Sequence, residues 1–348
     1  MSARHYSPLG QLILSRLREF FRQPEVVFWV YGFPILMVVA LGIAFRNKPV
    51  EHITVSVQDS EYAQVAADAL SKNKKFEVQR CDADACRLKL RTGRSDIVTI
   101  ASAGPRYEYL YDPTRPESLL ARNAVDDALQ RAAGRKDIAD VSDKELTEPG
   151  ARYIDFLVPG LIGMGLMGGG LWGVGFVTVD MRIRKLLKRF IATPMKKHQF
   201  LTGIMLSRFM FMIPEIVILL LFAWLAFGVR VQGSLFAVMV FVFLGAFTFS
   251  GIGLLVASRA NTVETVSGLM NLVMLPMWIL SGIFFSSDRF PAAFQPLIKA
   301  LPLTPLINAL RAIILEGYGL MQLLPEAAIL VAWAVVTFAL ALRWFRWM

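Results

Sequence analysis

Charged residues are scarce in this 348-residue chain, and so are side chains that bind metals. Asp, Glu, Lys and Arg make up 18% of the residues, whereas hydrophobic residues make up 55%. The mean hydropathy is +0.51. This composition excludes an ordinary soluble globular protein and indicates an integral membrane protein. With only two cysteines and three scattered histidines, the chain is expected to hold no metal site of its own.

Motifs for nucleotide binding and catalysis are also missing. No G-x-x-x-x-G-K-[ST] sequence occurs, which excludes nucleotide binding by a P-loop. Neither H-E-x-x-H nor G-x-S-x-G is present, and we expect no enzyme activity in this chain. The net charge of +10 does not predict nucleic-acid binding, because the basic residues cluster beside apolar runs, as topology signals do.

Six apolar runs are long enough to cross a bilayer. They cover residues 26–45, 154–179, 204–227, 235–256, 266–285 and 325–344. An amphipathic pattern over 8–22 predicts a helix at the membrane surface before the first run. We expect that first run to be an uncleaved anchor rather than a signal peptide, because it is too long and no cleavage site follows. The proline-rich stretch 286–322 predicts short re-entrant or interfacial helices.

Residues 46–153 are polar and contain no apolar run. Strands are predicted from Ile53 and over 96–101 and 107–111, because hydrophobic residues alternate with polar ones. A helix is predicted over 60–72. The predicted fold class is therefore an α-helical membrane protein with six transmembrane helices, an N-terminal interfacial helix and an inserted small α/β domain. The predicted domains are 1–45, 46–153 and 154–348.

Two details of the inserted domain can be specified further. A T-x-x-E capping box at Thr114 predicts a helix that runs to about Gly134. Cys81 and Cys86 either form a short-loop disulfide or remain two free thiols. A disulfide requires Cys81 to lie outside a helix, because residues five apart on one helix point about 140° apart.

The distribution of basic residues predicts the topology. Six spans place both termini on one side of the membrane, and most basic residues flanking the spans fall on that side. By the positive-inside rule this side is cytoplasmic, and the inserted domain is extracytoplasmic. The most basic region is 181–203, between the second and third runs, where seven Lys and Arg residues occur without an acid. Within it, Thr193-Pro194 is a helix-start signal.

Three features inside the apolar runs are candidates for a role. Gly165, Gly169 and Gly173 form a small-xxx-small stripe that predicts close helix packing. Glu215 is an acid well inside the third run, and it is either a functional group or a structural one, paired with Arg208 or protonated within the bundle. Asn271 in the fifth run is predicted to hydrogen-bond between helices.

Several stretches resemble one family, the ABC-2 type permeases, which are membrane subunits of ATP-binding-cassette exporters. The sequences NLVMLPMWILSGIFF and LPLTPLINALR, within 271–311, resemble the family's C-terminal signature. The basic segment with its "ATP" resembles the region that contacts the ATPase, and REFFRQP, before the first run, resembles the interfacial elbow helix. The polar domain after the first run is similar to that of the subgroup with a large extracytoplasmic insert.

The resemblance implies a function and a set of partners. Two such subunits would pair, as a homodimer or with a similar permease, in a bacterial plasma (inner) membrane. Membrane lipids would be further partners. Separate ATPase subunits would bind ATP and Mg²⁺, so that this chain needs no cofactor. A periplasmic adaptor would be a further partner of the outer domain. The implied coupling residues lie in the basic segment and are Ile191, Thr193, Pro194, Met195, Lys196 and Lys197.

Two other functions are compatible with the sequence. The chain could be a mechanotransducing membrane sensor or scaffold, driven by ATP without passage of a substrate. It could also be an ion-coupled secondary transporter, although such a protein should show internal repeats and several ionisable residues within its spans. The expected function is export of a hydrophobic or amphipathic substrate, such as a drug or a lipid, and the sequence does not identify it.

Overall fold

The structure is a computed structural model that describes residues 8–45, 52–136, 139, 142, 152–186 and 197–344. The chain divides into two compact units. The membrane unit comprises Met1–Arg46 and Leu146–Met348, and the inserted unit comprises Asn47–Glu145. The predicted fold class is confirmed: a helical membrane protein carries a small mixed α/β unit after its first span.

Six helical segments among the described residues are long and apolar enough to cross a membrane, and a bent pair gives a seventh if it is counted as one span. The six are Pro24–Ala44, Tyr153–Ile183, Gly203–Phe227, Leu235–Ala257, Val263–Leu280 and Leu320–Trp344. All six spans of the sequence prediction are present, with ends that differ by a few residues. The second span is buried over 78% of its most apolar window, so it is the central helix of the membrane unit.

The N-terminal part begins with the amphipathic helix α1 (Pro8–Phe21). The first span then consists of α2 (Pro24–Val27), a π-helical turn (Phe28–Gly32) and α3 (Phe33–Ala44). Pro24 occupies the first turn of α2, where its missing N–H leaves no helical hydrogen bond unmade.

The inserted unit contains one four-stranded sheet. Its strands are β1 (Ile53–Gln58), β2 (Phe76–Cys81), β3 (Ile97–Ser102) and β4 (Arg106–Leu110). Its helices are α4 (Ala63–Ser71), α5 (Ala83–Arg91) and α6 (Pro116–Ala132). The strand order is β2-β1-β3-β4, with β1 parallel to β2 and β3 and only β4 antiparallel. The sequence patterns missed β2.

The two faces of this sheet have separate cores. Val55, Val57 and Ile97 pack with apolar residues of α4 and α6 on one face. On the other face Val98 packs with Cys81 and Cys86. The two cysteines form a disulfide that links the end of β2 to α5, so Cys81 does lie outside a helix. This arrangement follows from the two-residue period of a strand, which sends successive side chains to opposite faces.

The predicted capping box at Thr114 is wrong. Helix α6 begins at Pro116 with Arg115 at the N-cap, and Arg115 makes no side-chain capping bond. The Thr114 hydroxyl instead donates to Asp112 at 2.7 Å. Proline fits the first helical position, and this places the cap one residue later than the pattern suggested.

The second to fifth spans build most of the membrane core. The second consists of α7 (Tyr153–Gly170), a π-helical turn (Leu171–Phe176) and α8 (Val177–Ile183). The next three are carried by α9 (Lys197–Phe227), α10 (Leu235–Ala257) and α11 (Val263–Leu280). The second span meets α10 at backbone distance, because a Cβ on Gly170, Gly175 or Gly253 would collide with the backbone of the facing helix.

The last part of the chain contains the bent pair. Helix α12 (Gln295–Ala300), preceded by one 3₁₀ turn, meets α13 (Leu303–Glu316) at 86°. Short helices are present in this stretch, and their bend is that of a broken span or of a re-entrant loop, the latter being one of the predicted alternatives. Helix α13 is not a surface helix, because nine of its residues from Leu303 to Ile314 are buried. Helix α14 (Leu324–Trp344) completes the unit and packs along α10.

Candidate functional site

Most of the predicted coupling residues lie outside the described residues. These are Ile191, Thr193, Pro194, Met195 and Lys196. The described chain stops at Leu186 and resumes at Lys197, which is the first residue of α9. The structure therefore describes the helices that enter and leave the predicted coupling segment (181–203), of which residues 187–196 lie outside the described residues.

The helix that enters the coupling segment is fixed by arginines. Arg182 donates from Nη1 to the carbonyl oxygens of Ala257 at 3.0 Å and Ala260 at 2.9 Å. These carbonyls lie at and just beyond the C-terminal end of α10, where a cation is favourable. Arg184 pairs with Asp180 at 2.9 Å. Two of the seven basic residues are thus engaged within the membrane unit, and Lys185 ends the helix with a φ of 57°.

The helix that leaves the coupling segment is unusually long. Helix α9 has 31 residues, which corresponds to about 46 Å at 1.5 Å per residue. The hydrocarbon core of a bilayer is only about 30 Å thick. Its apolar span begins at Gly203, so the first turns of α9 project beyond that span as a continuous helix. A displacement of the coupling segment would therefore reach the middle of the span without an intervening loop.

A buried ion pair occupies the middle of α9. Arg208 Nη2 lies 3.1 Å from Glu215 Oε2, and the two side chains are only 7% and 9% exposed. The same nitrogen donates to the carbonyl oxygen of Gly165 on α7 at 3.3 Å. The pairing of Glu215 with Arg208 is one of the alternatives that the sequence left open, and the hydrogen bond to α7 was not foreseen.

The glycine stripe on the second span makes room for this ion pair. A Cβ on Gly169 would overlap the Arg208 guanidinium, and a Cβ on Gly165 would overlap the Glu215 carboxylate. Gly173 faces the stem of Arg208, with its ideal Cβ position 3.5 Å from Cδ. The predicted role of the stripe in helix–helix packing takes a specific form here: two glycines accommodate a pair of charged side chains.

Aromatic contacts connect this part of α9 to the N-terminal helices. The Phe211 ring, one turn after Arg208, stacks on Phe20 of α1 with 4.2 Å between centroids. Tyr31 of the first span donates its hydroxyl hydrogen to the Phe211 carbonyl oxygen at 3.2 Å. Pro214, which follows in α9, has no N–H to close the local helical bond. Between Arg208 and Phe211, α9 therefore contacts α1, the first span and α7.

Two further arginines hold the opposite end of the second span, and the sequence did not identify them. Arg152 donates to the Phe227 carbonyl oxygen at 2.7 Å and pairs with Asp155 at 2.9 Å. The hydrogen bond to Asp155 raises the pKa of Arg152 above its ordinary value. Arg311 of α13 lies 3.5 Å from the ring centroid of Phe156 and donates to its carbonyl oxygen. Arg152 lies in no motif and Arg311 is the last residue of LPLTPLINALR, but no local pattern reveals their partners, because both donate to main-chain oxygens of distant residues.

Asn271 is not placed to join two helices of one chain. It lies on the exposed face of α11, together with Leu272, Leu275 and Ile279. Among the described residues, it has no hydrogen-bond partner on a neighbouring helix. The prediction of a bond between helices is therefore wrong within one chain.

No group of three or more His, Cys, Asp or Glu side chains in the described ranges is arranged to hold a metal ion. The chemistry of this site is accordingly that of arginines, the carboxylates paired with them and main-chain carbonyl groups. Such an arrangement can position helices against each other, and it contains neither a nucleophile nor a general base directed into a cleft.

The sequence model of the family described as "ABC-2 family transporter protein" matches residues 24–343. The chain belongs to the ABC-2 transporter family. The matched residues include all or nearly all of each of the six spans and the whole inserted unit.

Curated proteins with similar sequences bear related names. The linearmycin resistance permease protein LnrN of Bacillus subtilis is 28% identical over 176 residues, or 51% of this chain and 46% of that protein. ABC transporter G family member 20 of Dictyostelium discoideum is 29% identical over 49% of this chain and 24% of its own length. The inner membrane transport permease YhhJ of Escherichia coli is 29% identical over 34% and 32%. This chain thus spans less than half of the length of each of these relatives.

Proposed function

We propose that this ABC-2 family member is the membrane permease subunit of an ATP-driven exporter. Family membership supports this proposal. The names of two bacterial relatives, LnrN and YhhJ, support it as well, because both proteins are named as permeases. ATP and Mg²⁺ would be bound by separate ATPase subunits. The cargo would be hydrophobic or amphipathic, because the membrane unit offers apolar helix faces. LnrN is named as a linearmycin resistance permease, and a role in resistance agrees with export.

The observation that carries the proposal is the continuity of α9. One helix runs from Lys197, at the end of the coupling segment, through Arg208 and Glu215 to Phe227. The hydrogen bond from Arg208, which pairs with Glu215 on the same helix, to the Gly165 carbonyl binds α9 to the second span. An ATPase that pushes on residues 191–197 would therefore move α9 and transmit force to the second span, the central helix of the membrane unit.

The orientation follows from charge. The basic residues near the coupling segment would face the cytoplasm, with both termini on the same side, in a bacterial plasma membrane. The inserted unit would face the opposite compartment, where its Cys81–Cys86 disulfide is chemically stable. A periplasmic adaptor that continues the export path would bind to that unit.

The second permease copy would pack on the exposed face of α11. A carboxamide that faces lipid is costly, whereas two symmetry-related Asn271 side chains can hydrogen-bond to each other. In a two-fold symmetric dimer the same patch occurs on both partners. Leu272 and Leu275, exposed by 68% and 52%, would supply the apolar part of this contact.

The test is coupling to the ATPase in the assembled transporter. We expect Pro194→Asp and Met195→Asp to abolish capture of the ATPase subunit and substrate-stimulated ATP hydrolysis, because each variant introduces an acid among the basic coupling residues, at the predicted helix-start signal Thr193-Pro194. The matched control is Arg230→Asp, which changes charge in the exposed loop beyond the other end of α9. Full capture and activity in the coupling variants would overturn the proposal.

The same preparation separates the two competing functions. Substrate-stimulated ATP hydrolysis without measurable flux of substrate would identify a mechanotransducing sensor. Transport that continues when hydrolysis by the ATPase is abolished would identify an ion-coupled transporter. Within the described spans the only buried acid of α9, Glu215, is already paired with Arg208, which does not favour the ion-coupled alternative.

A further inference from the structure

Helix α1 presents three different faces. Ile13, Leu17 and Phe20 point towards the membrane unit, and Phe20 is buried against Phe211. A second, apolar stripe is exposed: Leu14 by 39% and Phe21 by 65%. Ser15, Arg18, Glu19 and Arg22 form the third face at helical spacing. Because Arg18 and Arg22 border the exposed apolar stripe, this helix places cations directly beside a surface suited to acyl chains.

The arginines of α1 differ in whether they form an ion pair. Arg16 pairs with Glu19 at 2.7 Å and contacts Met181 Sδ at 3.5 Å. Arg18 and Arg22 are exposed, and in the described part of the chain neither has an acidic partner. Glu19 pairs with Arg16, and Glu25, three residues after Arg22, forms no ion pair with it. Among the residues that the structure describes, Arg18 and Arg22 are therefore two cations without an ion-pair partner, four residues apart on the same side of the helix.

These two arginines line a concave surface. A depression of about 450 Å³ is bounded by Ser15, Arg18, Glu19, Arg22 and Gln23. A guanidinium binds two oxygens of a phosphate with parallel hydrogen bonds, and the Gln23 amide adds further donors. Immediately after this depression, Phe28 and Trp29 are exposed by 48% and 61% at the start of the first span. Aromatic rings at such positions are typical of the interface between headgroups and hydrocarbon.

We propose that α1 and the start of the first span form a binding site for one anionic phospholipid. Arg18 and Arg22 bind the phosphate, Gln23 and Ser15 contact the polar headgroup, and Leu14 and Phe21 contact the acyl chains. Phe20 of α1 stacks on Phe211, and Tyr31 donates to the Phe211 carbonyl oxygen. Because Phe211 lies one turn after Arg208 on α9, these contacts connect the lipid site to the region of the buried ion pair.

A phospholipid explains the arrangement better than a soluble anion does. A free phosphate would use the two arginines but would leave Leu14, Phe21 and Trp29 exposed. An acidic protein surface would also satisfy the charges, yet it would not cover an apolar stripe that lies next to the first span. Each Arg near an anionic bilayer strengthens lipid binding severalfold.

The test measures lipid binding to the full-length protein. Purified protein in detergent is titrated with dioleoyl phosphatidylglycerol or dioleoyl phosphatidylcholine, and bound lipid is counted by native mass spectrometry. We expect wild type to retain one phosphatidylglycerol selectively. Arg18→Gln with Arg22→Gln should weaken that affinity about tenfold or more. Arg18→Lys with Arg22→Lys should retain most of it, and Glu19→Gln should strengthen it.

The matched control changes the same charge elsewhere. Arg230→Gln with Arg289→Gln removes two exposed arginines of the membrane unit and should leave lipid binding unchanged. Thermal unfolding of each variant shows whether the fold is retained, and the Lys variant tests the site independently of any folding defect in the Gln variant.

Three results would overturn the assignment. One is phosphatidylglycerol binding to the Gln variant with wild-type affinity. Another is complete displacement of the lipid by equimolar glycerol 3-phosphate, which would show a site for phosphate alone. The third is loss of ATPase capture in the Gln variant with unchanged lipid binding, which would assign this face to the ATPase instead. Failure of the lipid site leaves the export function untouched, because the two rest on different residues.

Discussion

Arg208 occupies a space that exists only because two residues of the facing helix lack a side chain. Gly165 and Gly169 leave room for the carboxylate and the guanidinium, and the Gly165 carbonyl accepts one hydrogen bond from Arg208. Burying two charges is expensive, and the cost is tolerable only when the pair has good geometry and further hydrogen bonds. The glycines and the ion pair therefore have to be considered as one unit.

The first prediction concerns Gly169→Ala. The new methyl group would displace the guanidinium from Glu215 and from the Gly165 carbonyl, because it would occupy the same space. We expect the free energy of unfolding to fall by about 1–3 kcal/mol, measured by thermal unfolding in detergent. Gly168→Ala is the matched control, because nothing lies within 4 Å of its ideal Cβ position. An equal loss of stability in both variants would contradict this account.

The second prediction compares single and double substitutions of the ion pair. Glu215→Leu leaves Arg208 as an unpaired buried cation and should reduce stability by about 3–5 kcal/mol. Glu215→Leu combined with Arg208→Met removes both charges and should lose less than the single variant. Chemical unfolding of the purified proteins gives both values. If the double variant lost the sum of the two single effects, Arg208 and Glu215 would not be coupled.

At the scale of the element, helix ends show where a sequence pattern is reliable. The N-cap of α5 is Asp82, whose carboxylate accepts a hydrogen bond from the Ala85 N–H at 2.7 Å. The pattern at Thr114 looked equally good, but Pro116 requires that α6 begin one residue later than a cap at Thr114 would allow. Both sites carry a side chain of a type that caps helices, and only one of them caps.

This contrast gives the third prediction. Asp82→Ala should lower the stability of the inserted unit by about 1 kcal/mol, because the Ala85 N–H at the start of α5 would lose its side-chain acceptor. Thr114→Ala should change it by less than about 0.5 kcal/mol. Hydrogen exchange of amides in β1 and β3, measured on the full-length protein, reports both. A larger effect at Thr114 than at Asp82 would show that the helix starts are misassigned.

The spans and most elements of the inserted unit were predictable, because long apolar runs and alternating residues are strong local signals. Strand β2 was missed because its alternation of apolar and polar residues lasts only from Phe76 to Gln79 and is broken by Arg80, which makes a weak signal. The parallel order of the sheet depends on which strands pair over long separations, and no local pattern encodes that. Likewise, the sequence identified Glu215 and the glycine stripe separately, but only the three-dimensional packing brings them together.

At the scale of the whole membrane unit, the second span is the organising helix. Arg152 at its start binds the last carbonyl of α9, and Arg182 near its end binds the last carbonyls of α10. These bonds tie two neighbouring spans to opposite ends of one helix. The exposed face of α11 lacks such a tie, which agrees with its proposed role in binding a second copy.

The fourth prediction tests that second copy. The two native cysteines are joined in a disulfide, so Asn271→Cys would introduce a single reactive thiol. We expect it to form cross-linked dimers under mild oxidation in native membranes, visible by non-reducing electrophoresis. Met270→Cys, which is buried, and Val335→Cys, which is 62% exposed on α14, should not. Equal cross-linking at Asn271 and Val335 would indicate random collisions rather than a defined dimer.

Both charges of the buried pair belong to α9, seven residues apart. A sliding movement of α9 along the second span would therefore carry the cation and its counterion together, and the ion pair would stay intact. The hydrogen bonds from Arg208 to the Gly165 carbonyl and from Arg152 to the Phe227 carbonyl would have to break, but the ion pair would not. Had the carboxylate been on the second span, such a movement would have pulled two opposite charges apart within hydrocarbon, at a cost far above that of one hydrogen bond. Because both charges lie on α9, the ion pair adds no electrostatic barrier to a movement of this helix.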